Sequence, residues 1–416
     1  MKKRLFLKLS CSLLSIVSFT FLTIPKGQVY AAKKNKPNLI FPVISDVHIG
    51  GTNADLKFRN TLQDLNCKLP NYNAIAIVGD ITDNGEANNY DTFMNILNSN
   101  KNPSAASIIT MGNHEYYSKN STLAQCQNRF ISKTHMPALN YDKWINGYHF
   151  IVLSPENLGK GSGVVVTDEQ LNWLDGKLSE NEAYNKPAFV FLHQPIPHTV
   201  YGSDTCDNVE NPDELTAVLQ KHPEAIYFSG HSHYLLEHPR TMFQNGFTMF
   251  NTGAIYYMMS EDDNYEPNTL AEGLVVKVYD KKVVVKCREF SQHKWVGKTF
   301  TVDYPVTFKP QDNKPPYWHS SAKAFVNNIT KNSAAISYPK AKDNTLVTSY
   351  KIVNKTTGTS YKVLNSLLCT EPDYHTFDIN NLTPNTNYTF DIYAVDAFNN
   401  VSRNNLTVNF TTKTAN

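Results

Sequence analysis

The chain has 416 residues, 41% of them hydrophobic and 18% charged. That length fits two or three domains, and the apolar share suffices for a sizeable core, which excludes a wholly disordered chain. Five basic residues (Lys2, Lys3, Arg4, Lys8 and Lys26) stand before Ala32 with no acid among them. Without that segment 34 basic residues face 37 acidic ones, a net charge of −3 that offers no field for a nucleic-acid polymer.

The basic start runs into a mostly apolar stretch from Leu9 to Ile24, then a polar break at Pro25-Lys26-Gly27 and the residues Val29-Tyr30-Ala31. This is the layout of a secretory signal peptide over residues 1–31. The apolar run is at the short end of the roughly 20 residues a membrane-spanning helix needs. The expectation is therefore a secreted or cell-envelope protein with no transmembrane segment after cleavage. Cys67, Cys126, Cys206, Cys287 and Cys369 are odd in number and scattered, with no CxxC pair, so neither a disulfide framework nor a structural zinc site is expected.

From residue 38 to about 308, short apolar runs alternate with helix-like segments. Leu39 to Ile44, Ala74 to Val78, Ser107 to Met111, Tyr148 to Leu153, Ala188 to Leu192 and Ala225 to Phe228 read as strands covered on both faces, although Pro42 interrupts the first. Thr167 and Gln170 have capping-box spacing before Leu171, Leu174 and Leu178. Asn211-Pro212 offers an N-cap and a first-turn proline before Leu215, Val218 and Leu219. This alternation predicts an α/β domain. Residues 247–306 read as strands and hairpins, residues 309–316 as a Pro-rich linker, and residues 317–416 as an all-β module.

The polar residues sit where the apolar runs end. Ser45-Asp46-Val47-His48, Gly79-Asp80-Ile81-Thr82-Asp83, Gly112-Asn113-His114-Glu115, His193 and Gly230-His231-Ser232-His233 each follow a strand. Ligands of α/β sheets bind at the carboxyl ends of strands, so these clusters are expected to converge. Carboxylates, imidazoles and one carboxamide, without cysteine, suit Mn, Fe, Zn, Co or Ni better than Ca. Seven such side chains exceed the needs of one ion, and a carboxylate can bridge two. Glycines at 79, 112 and 230 are expected to turn the backbone sharply beside the ions.

The ordered set D-x-H, GD-x-x-D, GNH-E, H and GH-x-H resembles the calcineurin-like metallophosphoesterases. The resemblance implies a metallophosphatase fold of two β-sheets sandwiched between helices, with the metals at one sheet edge. It implies that Asp46, His48, Asp80 and His233 hold one divalent metal ion, and that Asp80, Asn113, His193 and His231 hold the other, with Asp80 bridging. It implies a catalytic role for His114, which is not a ligand, and for Asp83 as the acid that orients it. Two cations about 3.5–4 Å apart neutralise a phosphoester, activate a bridging water and hold an in-line geometry. His198, five residues after His193, is a candidate substrate contact. Tyr116 and Tyr117 are candidates for the pocket wall or the core.

Departures narrow the class. Asp83 stands where purple acid phosphatases have a tyrosine, and Asn84 and Met111 where protein Ser/Thr phosphatases have arginines. GDITDNGE is closer to the cyclic-nucleotide phosphodiesterase-like branch. In the last hundred residues, Leu382-Thr383-Pro384-Asn385-Thr386-Asn387-Tyr388 resembles the tyrosine corner of fibronectin type III domains, which implies a sandwich able to act as a spacer or to bind a wall polymer or protein partner. Tyr338 takes the place of a usual tryptophan. The expected function is hydrolysis of phosphomonoesters or phosphodiesters. The alternatives are a cyclic-nucleotide phosphodiesterase-like enzyme, or a non-catalytic binding or adhesion protein on a retired phosphoesterase scaffold.

Overall fold

The computed structural model describes residues 36–182, 186–259, 269–365 and 371–415; the expected signal peptide and Cys369 lie outside them. In chain order the α/β region contains β1 (Leu39–Ile44), α1 (Ala54–Lys68), β2 (Ala74–Val78), α2 (Ala87–Asn100), β3 (Ala106–Thr110), α3 (Leu123–Thr134), β4 (Tyr141–Ile145) and β5 (Tyr148–Val152). It continues with α4 (Asp168–Glu182), β6 (Ala188–Phe191), α5 (Pro212–Lys221), β7 (Ala225–Ser229), β8 (Met242–Gln244), β9 (Thr248–Asn251), β10 (Glu272–Tyr279), β11 (Lys282–Glu289) and β12 (Lys294–Asp303).

These strands make two six-stranded sheets, in the orders β12-β11-β10-β1-β2-β3 and β4-β5-β6-β7-β9-β8. In the first, β1, β2 and β3 run parallel and β10 pairs antiparallel with β1. In the second, β5, β6, β7 and β9 run parallel. Alternate side chains of one strand serve two different cores, which is why these runs are apolar without a break. Phe41, Val43, Ala76 and Val78 face the second sheet and meet Phe150, Phe189 and Phe228. The Phe41 ring packs edge-on to Phe150 and Phe189, with centroids 5.0 and 4.8 Å away. Ile44, Ile75, Ile77 and Ile109 face outward to Phe58, Leu62, Phe93 and Phe130 of α1, α2 and α3. On the far side, Ile151, Val190 and Tyr227 meet Leu174, Leu178, Leu215 and Leu219 of α4 and α5. The result is a helix–sheet–sheet–helix sandwich. Pro42 keeps its place in β1, opposite Val275.

Two local expectations have different outcomes. Thr167 and Gln170 form the capping box of α4, with Gln170 N donating to Thr167 Oγ1 at 3.2 Å and Thr167 N donating to Gln170 Oε1 at 3.1 Å. Asn211 takes the expected N-cap position of α5, before Pro212, but its side chain makes no cap bond. Its carboxamide instead pairs with Val166, accepting from its N at 2.9 Å and donating to its O at 2.8 Å, so a loop-to-loop contact replaces the cap.

The carboxyl-terminal strands are β13 (Phe325–Asn327), β14 (Ala334–Pro339), β15 (Val347–Asn354), β16 (Ser360–Leu364), β17 (Tyr374–Ile379), β18 (Asn387–Asp396) and β19 (Leu406–Thr411). They form sheets of order β13-β14-β17 and β16-β15-β18-β19 around Trp318, Ile336, Tyr338, Tyr350, Ile352, Phe390 and Ile392. Tyr338 is fully buried and its ring lies 5.0 Å from that of Tyr350. Thr383 N donates to Tyr388 Oη at 2.9 Å, closing the loop before β18. Among the described residues Cys67, Cys126, Cys206 and Cys287 are free.

Candidate metal centre

The polar clusters lie at the carboxyl ends of β1, β2 and β3 of one sheet and of β6 and β7 of the other, so the site lies where the two sheets meet rather than at the edge of one. Main-chain bonds stitch the strand ends together. Asp46 N donates to Gly79 O at 3.1 Å, His48 N to Asp80 O at 2.9 Å, and Gly230 N to His193 O at 3.0 Å.

The backbone here is left-handed at five non-glycine residues: Asp46 (φ 55°), His48 (50°), Asp80 (48°), His231 (68°) and His233 (59°). Each such residue costs on the order of 1 kcal/mol and persists only where the surroundings impose it. Of the three glycines expected to turn sharply, only Gly79 does so (φ 79°). Gly112 and Gly230 are there for room, since a Cβ on Gly112 would collide with Asp80 Oδ1 and one on Gly230 would stand 2.5 Å from Asp46 Oδ2.

The seven expected ligand side chains are drawn together, six of them buried and His231 half-buried. Asp46 Oδ1 lies 3.0 Å from His233 Nε2, 3.7 Å from His193 Nε2 and 4.0 Å from His48 Nε2. Asp80 Oδ2 lies 3.1 Å from His193 Nε2 and 3.9 Å from the Nε2 atoms of both His48 and His114. Three triads have ligand atoms mutually within 4.8 Å: Asp46, His48 and His233; Asp80, His193 and His231; and His48, Asp80 and His114. Asn113 is buried beside them.

The outward nitrogens of two of the imidazoles are tied down, which fixes those rings. His193 Nδ1 donates to Val78 O at 2.7 Å and His233 Nδ1 donates to Tyr257 O at 3.0 Å. The inward atoms have no hydrogen bond: His48 Nε2, His193 Nε2 and Asn113 Oδ1 are buried and unpartnered. Buried polar atoms are normally satisfied, and three such exceptions around two buried carboxylates fit a divalent cation.

Electrostatics agree. Burial by itself would raise the carboxyl of Asp46, but His233 and His193 outweigh it and hold the group at about 2. Burial would likewise raise Asp80, but His193, His114 and His48 bring it well below the carboxylate range. Burial would lower His193, but Asp80 and Asp46 push it up to about 10. Burial, and then His193, bring His231 down to about 4. Two buried carboxylates held ionised in this way define a place for positive charge.

His114 stands apart from the buried ligand set, with a quarter of its side chain exposed (26%). Its Nδ1 donates to the main-chain oxygen of Asp83 at 2.8 Å. The Asp83 carboxylate, expected to orient it, is 3.9 Å from that nitrogen and closer to His48 Nδ1, at 3.4 Å. Asp83 N bonds to Ile49 O, and that turn brings the Asp83 carbonyl, rather than its side chain, to His114 Nδ1. His198 is not in the site. A left-handed turn (φ 60°) leaves its side chain 89% exposed and paired to Asp204 Oδ1 at 2.8 Å. Tyr116 is also not a substrate contact, because it is buried in the core under α3, donating to Pro155 O and accepting from Gln127 Nε2. Its neighbour Tyr117 takes the wall position, 43% exposed with its ring 4.6 Å from His114.

Residues the sequence reading passed over also build the site. Glu115 is fully buried, and its two oxygens accept from Thr82 N and Oγ1 (both 2.9 Å), Gly112 N (2.7 Å) and Asp80 N (3.1 Å), locking two ligand loops together. Burial, then the charge of Asp80, raises it to about 7. Tyr256 and Tyr257 lie 5.5 and 5.9 Å from the His48 ring, and Tyr257 lies 4.2 Å from His233. The fourth position of GNHE held the signal for Glu115; nothing local marks the tyrosines, which arrive from a distant loop.

Comparison with known proteins places this geometry. Residues 41–235 match the model of the calcineurin-like phosphoesterase family. A protein named probable cyclic nucleotide phosphodiesterase, from Ruthia magnifica subsp. Calyptogena magnifica, is 29% identical over 211 residues, which covers 48% of this chain and 80% of that protein. A cAMP/cGMP dual specificity phosphodiesterase of Mycobacterium tuberculosis is 26% identical, covering 49% of this chain and 64% of that one. Among solved structures, a purple acid phosphatase from yellow lupin aligns at 14% identity and a TM-score of 0.46, over 64% of this chain and 55% of that one. The five strand-end clusters fall within the matched span, and residues 41–235 are therefore a calcineurin-like phosphoesterase domain, a hydrolase of phosphoester bonds.

Proposed function

We propose that this chain is an exported phosphodiesterase that works with two first-row divalent cations. Asp46, His48, Asp80 and His233 would hold one, and Asp80, Asn113, His193 and His231 the other. The observation that carries this reading is the set of buried, unpartnered atoms His48 Nε2, His193 Nε2 and Asn113 Oδ1 around ionised Asp46 and Asp80. Bound there, such cations neutralise phosphoester charge and supply a hydroxide nucleophile at neutral pH.

The chain's own groups do the rest. His114 donates through Nδ1 to Asp83 O, so its Nε2 points toward Asp80 on the accessible side of the site. That supports a role in giving a proton to the departing alkoxide, which leaves poorly without one. Glu115 holds the Asp80 and Asn113 loops in register, and Tyr117 lines the approach.

A diester is favoured over a monoester by charge. Besides burial, the leading influences on Asp46, His48, Asp80, Asp83, His193 and His231 are one another, His114 and His233; no lysine or arginine is among them. A monoester dianion brings a second negative charge, which no lysine or arginine among these leading influences of the described residues would meet, whereas a diester brings one. The names of the two relatives point to the same class, and cyclic nucleotides are candidate substrates. Parallel assays of bis-aryl phosphate and aryl phosphate with Mn-loaded protein test this; faster turnover of the monoester overturns the diester preference. Retained hydrolysis in both Asp80→Asn and His231→Ala, with unchanged far-UV circular dichroism, would sink the two-cation reading altogether.

Export rests on the basic-then-apolar segment before Ala32 and is tested by finding the protein in the medium or envelope fraction. The sandwich over residues 317–415, with Tyr388 bonded back to its own loop, supports a fibronectin type III-like spacer or binding module.

A further inference from the structure

Asn113 meets a difficulty that its neighbours in the centre do not. A carboxamide has two ends of nearly equal shape, but only its oxygen carries a lone pair for a cation. A half-turn about the last side-chain bond would put an NH₂ group there instead. Something must choose between the two orientations.

The chain supplies an anchor for the outer end; a phenol can accept or donate, so with a cation on the oxygen it accepts from the amide. Asn113 Nδ2 donates to Tyr117 Oη at 2.9 Å, while Asn113 Oδ1 stays buried and without a hydrogen bond. The two side chains meet because of local backbone structure. Asn113 precedes the short 3-10 turn His114–Tyr116, and Tyr117 follows it. Tyr116 N donates to Asn113 O at 3.0 Å and Tyr117 N to His114 O at 3.1 Å, which winds positions 113 and 117 onto one side of a single turn. The Tyr117 ring is steadied by the His114 imidazole, 4.6 Å away. Tyr117 therefore touches a ligand residue through its hydroxyl and the proton-donor candidate through its ring.

We propose that Tyr117 is a positioning residue whose hydroxyl, bonded to the outer end of the Asn113 carboxamide, holds that side chain so that its inner atom, Oδ1, faces one of the two cations. The inference rests on the reading of Asp80, Asn113, His193 and His231 as one ligand set. It separates the roles of the ring and the hydroxyl: Tyr117→Phe keeps the tilted ring contact with His114 and removes only the hydroxyl.

The experiment is calorimetric titration of the chelator-stripped full chain with Mn²⁺, for wild type, Tyr117→Phe, Asn113→Asp and the double variant, with circular dichroism as the folding control. Wild type is expected to take two ions. Tyr117→Phe is expected to lose about 10–100-fold in affinity for one of them, the usual cost of removing a partner that orients a ligand, and to keep the other. An aspartate at 113 brings a full charge to the cation and depends less on an outer hydrogen bond, so Tyr117→Phe in that background should cost far less. Wild-type affinity for both ions in Tyr117→Phe overturns the inference, and so does an equal loss in both backgrounds, which would give the hydroxyl some other role. A wild-type chain that takes up no Mn²⁺ fails at the earlier step, the assignment of the centre itself.

Discussion

Left-handed backbone occurs in both the metal centre and the carboxyl-terminal sandwich, but different residues adopt it. In the described part of the sandwich the non-glycine positions are Asn328, Asn381, Asn385 and Asn399, all in loops between strands. Asparagine is the side chain best suited to that conformation, because its short amide bonds locally. At the metal centre the positions are Asp46, His48, Asp80, His231 and His233. There the residue type is dictated by ligand chemistry and the conformation by the need to aim that ligand. The sandwich follows local rules; the centre departs from them at the places where chemistry is done.

The sharpest way to break this contrast is to give the centre the residue that the sandwich would use. His48→Asn puts the favoured left-handed residue at φ 50° and removes an imidazole whose Nε2 has no partner. Phosphodiester hydrolysis should fall by more than the roughly 100-fold that loss of a ligand-orienting partner can cause. The melting temperature of the metal-free chain should hold or rise. A clear drop in that melting temperature would show that His48 serves the fold first.

A buried ion pair in the same α/β region supplies the counter-example. Arg288 is almost fully buried and grips Asp64 through two bonds, Nε to Oδ2 at 2.8 Å and an Nη to Oδ1 at 2.6 Å, while His293 Nδ1 lies 2.7 Å from Oδ1. Here the chain completes its own charges, so removing one partner should cost stability instead of catalysis. Asp64→Asn leaves a buried guanidinium uncompensated and should cost about 3–5 kcal/mol in denaturant melts, with specific activity of the folded fraction unchanged. The pH dependence has a definite sign. Burial would raise the Asp64 carboxyl, but Arg288 and His293 outweigh it and bring it below the ordinary value of 3.8. A depressed folded pKa gives a contribution that is complete above the unfolded value and is lost as pH falls through the folded one, so wild type should lose this increment only in acid below about 4.

Glu115 lies between these cases, a buried carboxylate satisfied by the chain yet placed to serve the centre. Glu115→Gln keeps the volume but turns an amide NH₂ toward backbone donors that now bond to a carboxylate oxygen. Because those donors belong to the Asp80 and Asn113 loops, activity should fall by about 10-fold and Mn affinity should weaken with it. A change in melting temperature with no change in Mn affinity would make Glu115 part of the fold alone.

What could be read from sequence follows the same division. The five clusters were legible because each lies directly after an apolar strand, and strand ends of an α/β sheet share one face. The capping box at Thr167 and Gln170 was legible because it is local. Asn146-Gly147 was equally local, and its two left-handed residues (φ 52° and 74°) join β4 to β5, yet β4 escaped notice because its pattern of polar and aromatic residues is weak. Asn211 holds the N-cap position that its sequence predicts, but its carboxamide bonds to Val166, 45 residues away, which no local pattern announces. The exchange of Tyr116 for Tyr117, and of the Asp83 carboxylate for its carbonyl, turned on the rotation of a single turn, which composition cannot fix. His198 followed His193 closely in sequence but left the site through one left-handed residue.

The smallest expected effect belongs to the sandwich and checks that it is energetically ordinary. Tyr388 Oη accepts from Thr383 N at 2.9 Å while the ring packs on Phe410 and Phe390 at 5.9 and 6.2 Å. Tyr388→Phe leaves those ring contacts and deprives one backbone donor of its partner. The expected loss is about 1 kcal/mol, the usual net worth of one hydrogen bond, seen as a lower denaturation midpoint of the sandwich. Hydrolysis of a small phosphodiester should not change, because nothing in this loop touches the strand ends that carry Asp46, Asp80 and His231. Loss of turnover in Tyr388→Phe would mean that the two regions are coupled in catalysis, and the division drawn between a centre ruled by chemistry and a sandwich ruled by local structure would fail.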